Sequence, residues 1–240
     1  MPARILIGAL VVLISLSACA APSSRITEYL AGVQPLPAET QQLASPLVAG
    51  LIVALPEAEL AKPTAPSKEA LERFAQRVQK ELQASPKVVI QRIFPPVTIP
   101  GDGSGGLSLD RLRETAQDGT LTKMIVVVAS SQTASKLRFF PVLETQLFAR
   151  MDAALVDLPT GRVLLTEVGQ EDYVLAETLY YTGSISYPRL YYRTWTVAGP
   201  FTVVDGDPHK ALGEEAFKGA ADQLGMRFRA RLSPMLPAAG

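Results

Sequence analysis

The chain has 240 residues with 23 basic and 23 acidic side chains, 48% apolar residues, one cysteine and one histidine. A formal net charge of zero provides no basic face for nucleic acid and no polybasic run for anionic headgroups. A lone cysteine excludes a disulfide framework within the chain, and a lone histidine, His209 at a predicted helix start, withholds the familiar parts of Ser-His-Asp, Cys-His and zinc sites.

In chain order, Arg4 precedes the apolar run "ILIGALVVLISL" at 5–16, closed by small residues, which is the pattern of a secretory signal. The run is shorter than the roughly 20 apolar residues that span a membrane. Leu16, Ser17, Ala18 and Cys19 then resemble the bacterial lipobox. The resemblance implies removal of a signal peptide at 1–18 and acylation of Cys19, with palmitate among the attached chains. Each buried methylene contributes about 0.8 kcal/mol, so two or more chains anchor stably where one is marginal. Ala20 stands where an aspartate commonly retains such proteins at the inner membrane, which implies the outer membrane with the domain facing the periplasm. The alternative is an ordinary signal peptide in which Cys19 is an incidental small residue.

Residues 19–46 contain Pro22, Pro35, Pro37 and Pro46 and read as a lipidated tether. A short helix is expected at "SSRITEYLAG", with Tyr29 and Leu30 folding back onto the domain. A single domain spans 47–232, and a chain of this length buries on the order of 70% of its unfolded surface without disulfides. "LVAGLIVALP" at 47–56 is an apolar run of strand length, buried on both faces. Ser67 caps a helix through about residue 84, with Leu71, Phe74, Val78 and Leu82 as the inward stripe and Lys80 and Glu81 among the solvated positions. "KVVIQRIF" is a strand, and "LSLDRLRETAQDG" is a short helix capped by Ser108, with Leu109 and Leu112 inward and Gly119 at its end. "KMIVVVASSQ" is a third strand. From residue 139 the chain turns to longer extended segments, including the hairpin "ALVDLPTGRVLLT" around Pro159 and Gly161. A long helix from about 208 to 232 starts at Asp207 and Pro208 and carries Phe217, Ala220, Ala221, Leu224, Phe228 and Leu232 inward. The tail 233–240 is expected to fray.

These elements predict an α/β (α+β) class: a single mixed sheet with an antiparallel hairpin portion, helices packed on it and a long C-terminal helix. The lipobox, "SSRITEYL", "LIVALP", "IPGDGSGGLSLDRLRETAQDGTLTKMIVVVASSQ" and "MDAALVDLPTGRVLLTEVG" follow an order that resembles the rhombotarget-type bacterial lipoproteins. They also resemble the α/β domains of curli-assembly and penicillin-binding-protein-activator lipoproteins. The resemblance implies an envelope lipoprotein with a mixed sheet and no catalytic residues to carry across; a shared fold does not by itself assign a role.

Two stretches carry sharper possibilities. "GDGSGG" satisfies G-x-G-x-x-G through Gly101, Gly103 and Gly106. Pro95, Pro96 and Pro100 interrupt the passage from strand to helix, and no acidic residue ends a second strand about 20 residues on, so the loop is read as flexible and no cofactor is expected. "YYTGSISYPRLYYRTW" at 180–195 holds five of the seven tyrosines and the only tryptophan. It is read either as a β-hairpin with one face in the core or as a partner surface built from Tyr180, Tyr181, Tyr187, Arg189, Tyr191, Tyr192, Arg193 and Trp195. Such side chains suit a protein interface, glycan stacking or the headgroup zone.

Asp205, Asp207, Glu214 and Glu215 are the candidate acid and base pair of a carboxylate hydrolase acting on envelope glycan. Helix capping and a solvated face explain them more simply, so no catalytic residue and no metal ligand is assigned. The expectation is a lipid-anchored, non-catalytic binding or scaffold module for another envelope component, a protein, with the membrane engaged through Cys19 and no nucleic-acid partner. An auxiliary lipid-transport subunit is the other alternative, and it requires a continuous apolar cavity.

Overall fold

The computed structural model of the chain describes residues 23–34, 42–100, 106–116, 121–139, 142–178, 189–191, 193–194, 197–198, 202–203 and 207–237. Leu16, Ser17, Ala18, Cys19, Gly101, Gly103, Gly119, Tyr180, Tyr181, Tyr187, Tyr192, Trp195 and Asp205 lie outside the described residues.

The sheet grows around β2 (Leu47–Pro56), whose nearly unbroken apolar sequence is buried from Ala49 to Leu55. It lies parallel to β6 (Lys123–Phe139), to β3 (Val88–Ile93) and to β4 (Val97–Ile99). From β6 the pairing becomes antiparallel through β7 (Val142–Asp157), β8 (Arg162–Thr178), β9 (Arg189–Tyr191) and β12 (Thr202–Val203), an eight-stranded mixed sheet in all. The pair β10 (Arg193–Thr194) and β11 (Val197–Ala198) stands apart from it. The expected mixed sheet, antiparallel hairpin and packed helices are all present. The hairpin between β7 and β8 turns where expected, with Gly161 at a φ of 69° donating to the Asp157 carbonyl at 2.8 Å. Only glycine takes that backbone without strain.

One face is covered by α3 (Lys68–Gln83) and α5 (Pro208–Leu232). Ser67 Oγ accepts from the Ala70 amide at 3.2 Å to start α3, and Asp207 accepts from the His209 and Lys210 amides to start α5. Leu71, Phe74, Val78 and Leu82 of α3 meet Phe217, Leu224, Phe228 and Leu232 of α5 in one core, with the Phe74 and Phe217 rings 6.1 Å apart. Helix α5 lies very close to β8: a Cβ on Gly169 would fall on the Ala220 carbonyl oxygen and 2.6 Å from the Leu224 nitrogen.

The opposite face is covered by α1 (Ile26–Tyr29) and α4 (Leu109–Thr115), with β1 (Leu30–Ala31) and β5 (Leu107–Ser108) paired in parallel beside them. Ile26 is fully buried and Leu30 nearly so. Residues 23–34 are thus part of the folded body; the tether expected over 19–46 also loses Leu43, which is buried and donates its amide to the Met235 carbonyl. The short helix and the packing of Tyr29 and Leu30 are as expected.

Three further departures have local causes. The expected fraying tail starts instead with the 3-10 turn Ser233–Met235, because Met235 and Leu236 find apolar partners at the end of α5. The proline-rich gap after β2 holds a one-turn helix, α2 (Glu57–Leu60), whose Glu59 is buried. The third strand continues past Gln132 to Phe139, where its partner β7 satisfies its backbone in the absence of apolar alternation.

Candidate functional site

Strands β6, β7 and β8 run past the helices on the α1 and α4 face. In the α1 and α4 face, cover ends at Asp152. Asp152 lies inside the apolar run "ARMDAALVD" and is 1% exposed. Its carboxylate binds Arg150 in a two-point fork, with Nε to Oδ2 at 2.6 Å and Nη2 to Oδ1 at 2.9 Å, and accepts the Arg25 amide at 2.8 Å. Arg150 Nη2 also donates to the Ser23 carbonyl. The fork holds the guanidinium above its usual range, chiefly through the hydrogen bonds to Asp152, against a burial cost that pulls the other way. Charge pairing and a planar fork explain why arginine rather than lysine suits this position.

Past this clasp the α1 side of the sheet is open. Ser130, Arg150 and Gln170 lie across the three strands in one row, and Gln132, Phe148 and Asp172 form the next row on the same side. Phe148 is 42% exposed. Gln146 donates to Asp172 at 3.1 Å. A groove opens here, walled by Arg25 and by Tyr29 of α1. Burial raises the Tyr29 hydroxyl pKa, and the Asp152 charge adds to the effect.

On the other side of the same strands lies a second set of polar groups. There Ser131 donates to Glu59 at 2.7 Å, and Lys62 donates to Glu59 at 2.7 Å and to the Ser131 carbonyl. Glu171 accepts from Gln223, and Arg227 donates to the Val168 carbonyl at 3.1 Å. Burial pushes the Glu171 carboxyl pKa up, followed by the adjacent Asp172 charge. Pleat alternation puts these groups a sheet's thickness away from Phe148. The lining is mostly polar and offers no continuous apolar cavity of the kind that lipid carriage requires.

The sequence-derived candidates fall elsewhere. Asp207 is the α5 cap, Glu214 pairs with Arg73 at 3.1 Å, and Glu215 pairs with Lys218 at 3.0 Å. Asp207 and Glu214 are separated by two helical turns, about 10 Å along the axis, so the described carboxylates do not converge. Arg189 and Tyr191 lie in β9, which pairs with β8 over Val174–Ala176, and Arg193 lies in β10. Gly106 sits against the Tyr29 carbonyl, a packing role. Among the described residues no group of three or more His, Cys, Asp or Glu side chains is placed to hold a metal ion. No described helix is long and apolar enough to cross a membrane.

No family model matches the chain, and no curated protein matches it. Solved structures similar to it include the PelC dodecamer from Paraburkholderia phytofirmans, at 10% identity and a TM-score of 0.35 over 78% of this chain and 94% of that one. Protein XCC0632 from Xanthomonas campestris is similar at 10% identity and a TM-score of 0.34, over 86% of this chain and 95% of that one. Lipoprotein GNA1162 from Neisseria meningitidis is similar at 12% identity and a TM-score of 0.29, over 52% of this chain and 83% of that one. These TM-scores and identities are too low to carry a role across.

The groove and its clasp carry no motif in the sequence. The signal available was Asp152, a lone acid in a run that is otherwise apolar on both faces, with Arg150 two positions away on the same side of the strand.

Proposed function

We propose that the chain is an envelope lipoprotein, acylated on Cys19 and held at the periplasmic side of the outer membrane, that binds or scaffolds a protein partner and does no chemistry. The observation that supports this most is the attachment of the tyrosine-rich stretch. Its β9 strand pairs with β8 at Val174–Ala176, on the side of β8 away from β7. That attachment supports the reading of the stretch as a partner surface. Of the candidate acids, Asp207 caps α5 and Glu214 and Glu215 are held in ion pairs, so these three lend the glycan hydrolase reading no support.

A photoreactive residue in place of Tyr191, crosslinked in intact cells and read by mass spectrometry, is expected to trap one envelope protein. Replacing Tyr187, Tyr191 and Trp195 together should abolish that product with the thermal transition unchanged. A collapse in stability would assign these rings to the core and end the partner reading. Palmitate labelling that a Cys19→Ser substitution fails to remove would end the anchoring part.

A further inference from the structure

Ser23, whose carbonyl the Arg150 guanidinium holds, is only four positions after Cys19. Four steps along the chain reach about 14 Å at full extension. The segment that follows is seated at every step. Arg25 is bound to Asp152, Ile26 is fully buried, Leu30 pairs with Leu107, and Gln34 exchanges backbone hydrogen bonds with Gly161 and Val163 at 2.8 and 3.2 Å. Without that seat, the next described residue bonded to the body is Leu43, to which the reach from Cys19 is about 80 Å.

Building on the acylation of Cys19, we infer that residues 23–34 act as a strap that holds the open, α1 side of the sheet against the lipid headgroups of the anchoring bilayer. The strap decides which face meets lipid. Phe148 lies about 7 Å along β7 from Arg150 on the same side, so its exposed ring is within reach of a headgroup layer about 5–8 Å thick. Met226, 47% exposed on α5, is separated from that side by the sheet and by a helix about 10 Å across. The open side carries both signs of charge, with Arg25 and Arg150 against Glu28 and Asp172, so it has no net attraction for anionic lipid. Tether length, not charge, sets the orientation.

The test uses the lipidated full chain in phosphatidylethanolamine vesicles containing headgroup-spin-labelled lipid, with and without phosphatidylglycerol. Cys19 is the only native cysteine, so a fluorophore on Phe148→Cys or Met226→Cys reports one position. Strong quenching is expected at 148 and little at 226 in both vesicle types. Inserting a 20-residue Gly-Ser stretch between Pro22 and Ser23, which leaves every described contact intact, should abolish the contrast. Equal quenching at both positions in the native chain, quenching at 148 that survives the insertion, or a contrast that requires phosphatidylglycerol would each overturn the strap. Palmitate labelling of the same samples separates this outcome from a failure of acylation: an unlabelled protein sinks the anchor, and a labelled one without the contrast sinks only the strap.

Discussion

Within β7, residues 145–150 and residues 151–156 belong to the same strand yet face different surroundings. In the second stretch every residue from Met151 to Val156 is buried, because α5 covers one side and α1 with α4 the other. In the first, Thr145, Leu147 and Ala149 are buried under α5, whereas Phe148 is exposed and Gln146 and Arg150 are half-buried. One helix layer has ended and the other continues. The difference shows that the groove is not a hole in the core but the place where a two-sided sheet becomes one-sided, and Asp152 with Arg150 marks the boundary.

The dependence on α5 is tested most severely at Gly169. A Gly169→Val substitution puts side-chain atoms into the Ala220 and Leu224 backbone, and neither can yield without lifting the helix. A loss of more than about 4 kcal/mol is expected, enough to unfold a domain of ordinary stability. A cooperative thermal transition near the native temperature would show that α5 does not lie where it is described.

The two sides of the strand are compared directly by Leu147→Ala and Phe148→Ala. Leu147 is fully buried, so its truncation should cost about 2–4 kcal/mol by urea denaturation. Phe148, despite its larger ring, should cost less than about 1 kcal/mol because much of it is already in water. Similar losses at both positions would mean that the open side is covered.

Asp152→Ala leaves the Arg25 amide and the Arg150 guanidinium without their acceptor. Breaking a buried pair costs about 3–5 kcal/mol, but Arg150 is 17% exposed and can turn toward water, so about 2–3 kcal/mol is expected. The double change with Arg150→Ala should cost less than the sum of the single ones. Strict additivity would mean that the fork is not an energetic unit.

Much of this fold was legible in the sequence where periodicity and capping acted together. Ser67, Ser108 and Asp207 cap as expected, and the stripes on α3 and α5 pack inward, because polar caps and a 3.6-residue period are local signals. The groove was not legible. It depends on which residues of three strands share a row, and Ser130, Arg150 and Gln170 are brought together by register alone. The buried Glu59 was hidden for the same reason: its partner Ser131 is 72 positions away. The seating of residues 23–34 was only half visible, since "SSRITEYL" shows a short helix but not the acid on β7 that clasps it.

The smallest expected effect concerns the side that α5 covers. Burial raises the Glu171 carboxyl pKa, and Asp172 adds to the shift, while the Gln223 amide and Arg227 oppose it. In the pH window between the unfolded and folded values, the native state therefore holds a proton that the unfolded chain has lost. Stability falls as pH rises through that window, and above it the cost of the buried charge is complete. Glu171→Gln removes that charge and keeps an oxygen to accept from Gln223. The variant should be more stable at pH 7 by about 0.5 kcal/mol, a value kept small by the partial exposure of the site. The gap should close below about pH 4, where the carboxyl is neutral in both states. A variant less stable than the native protein at pH 7 would mean that the Gln223 hydrogen bond to a charged carboxylate outweighs desolvation, so that α5 binds this side of the sheet by polar contact as well as by apolar packing.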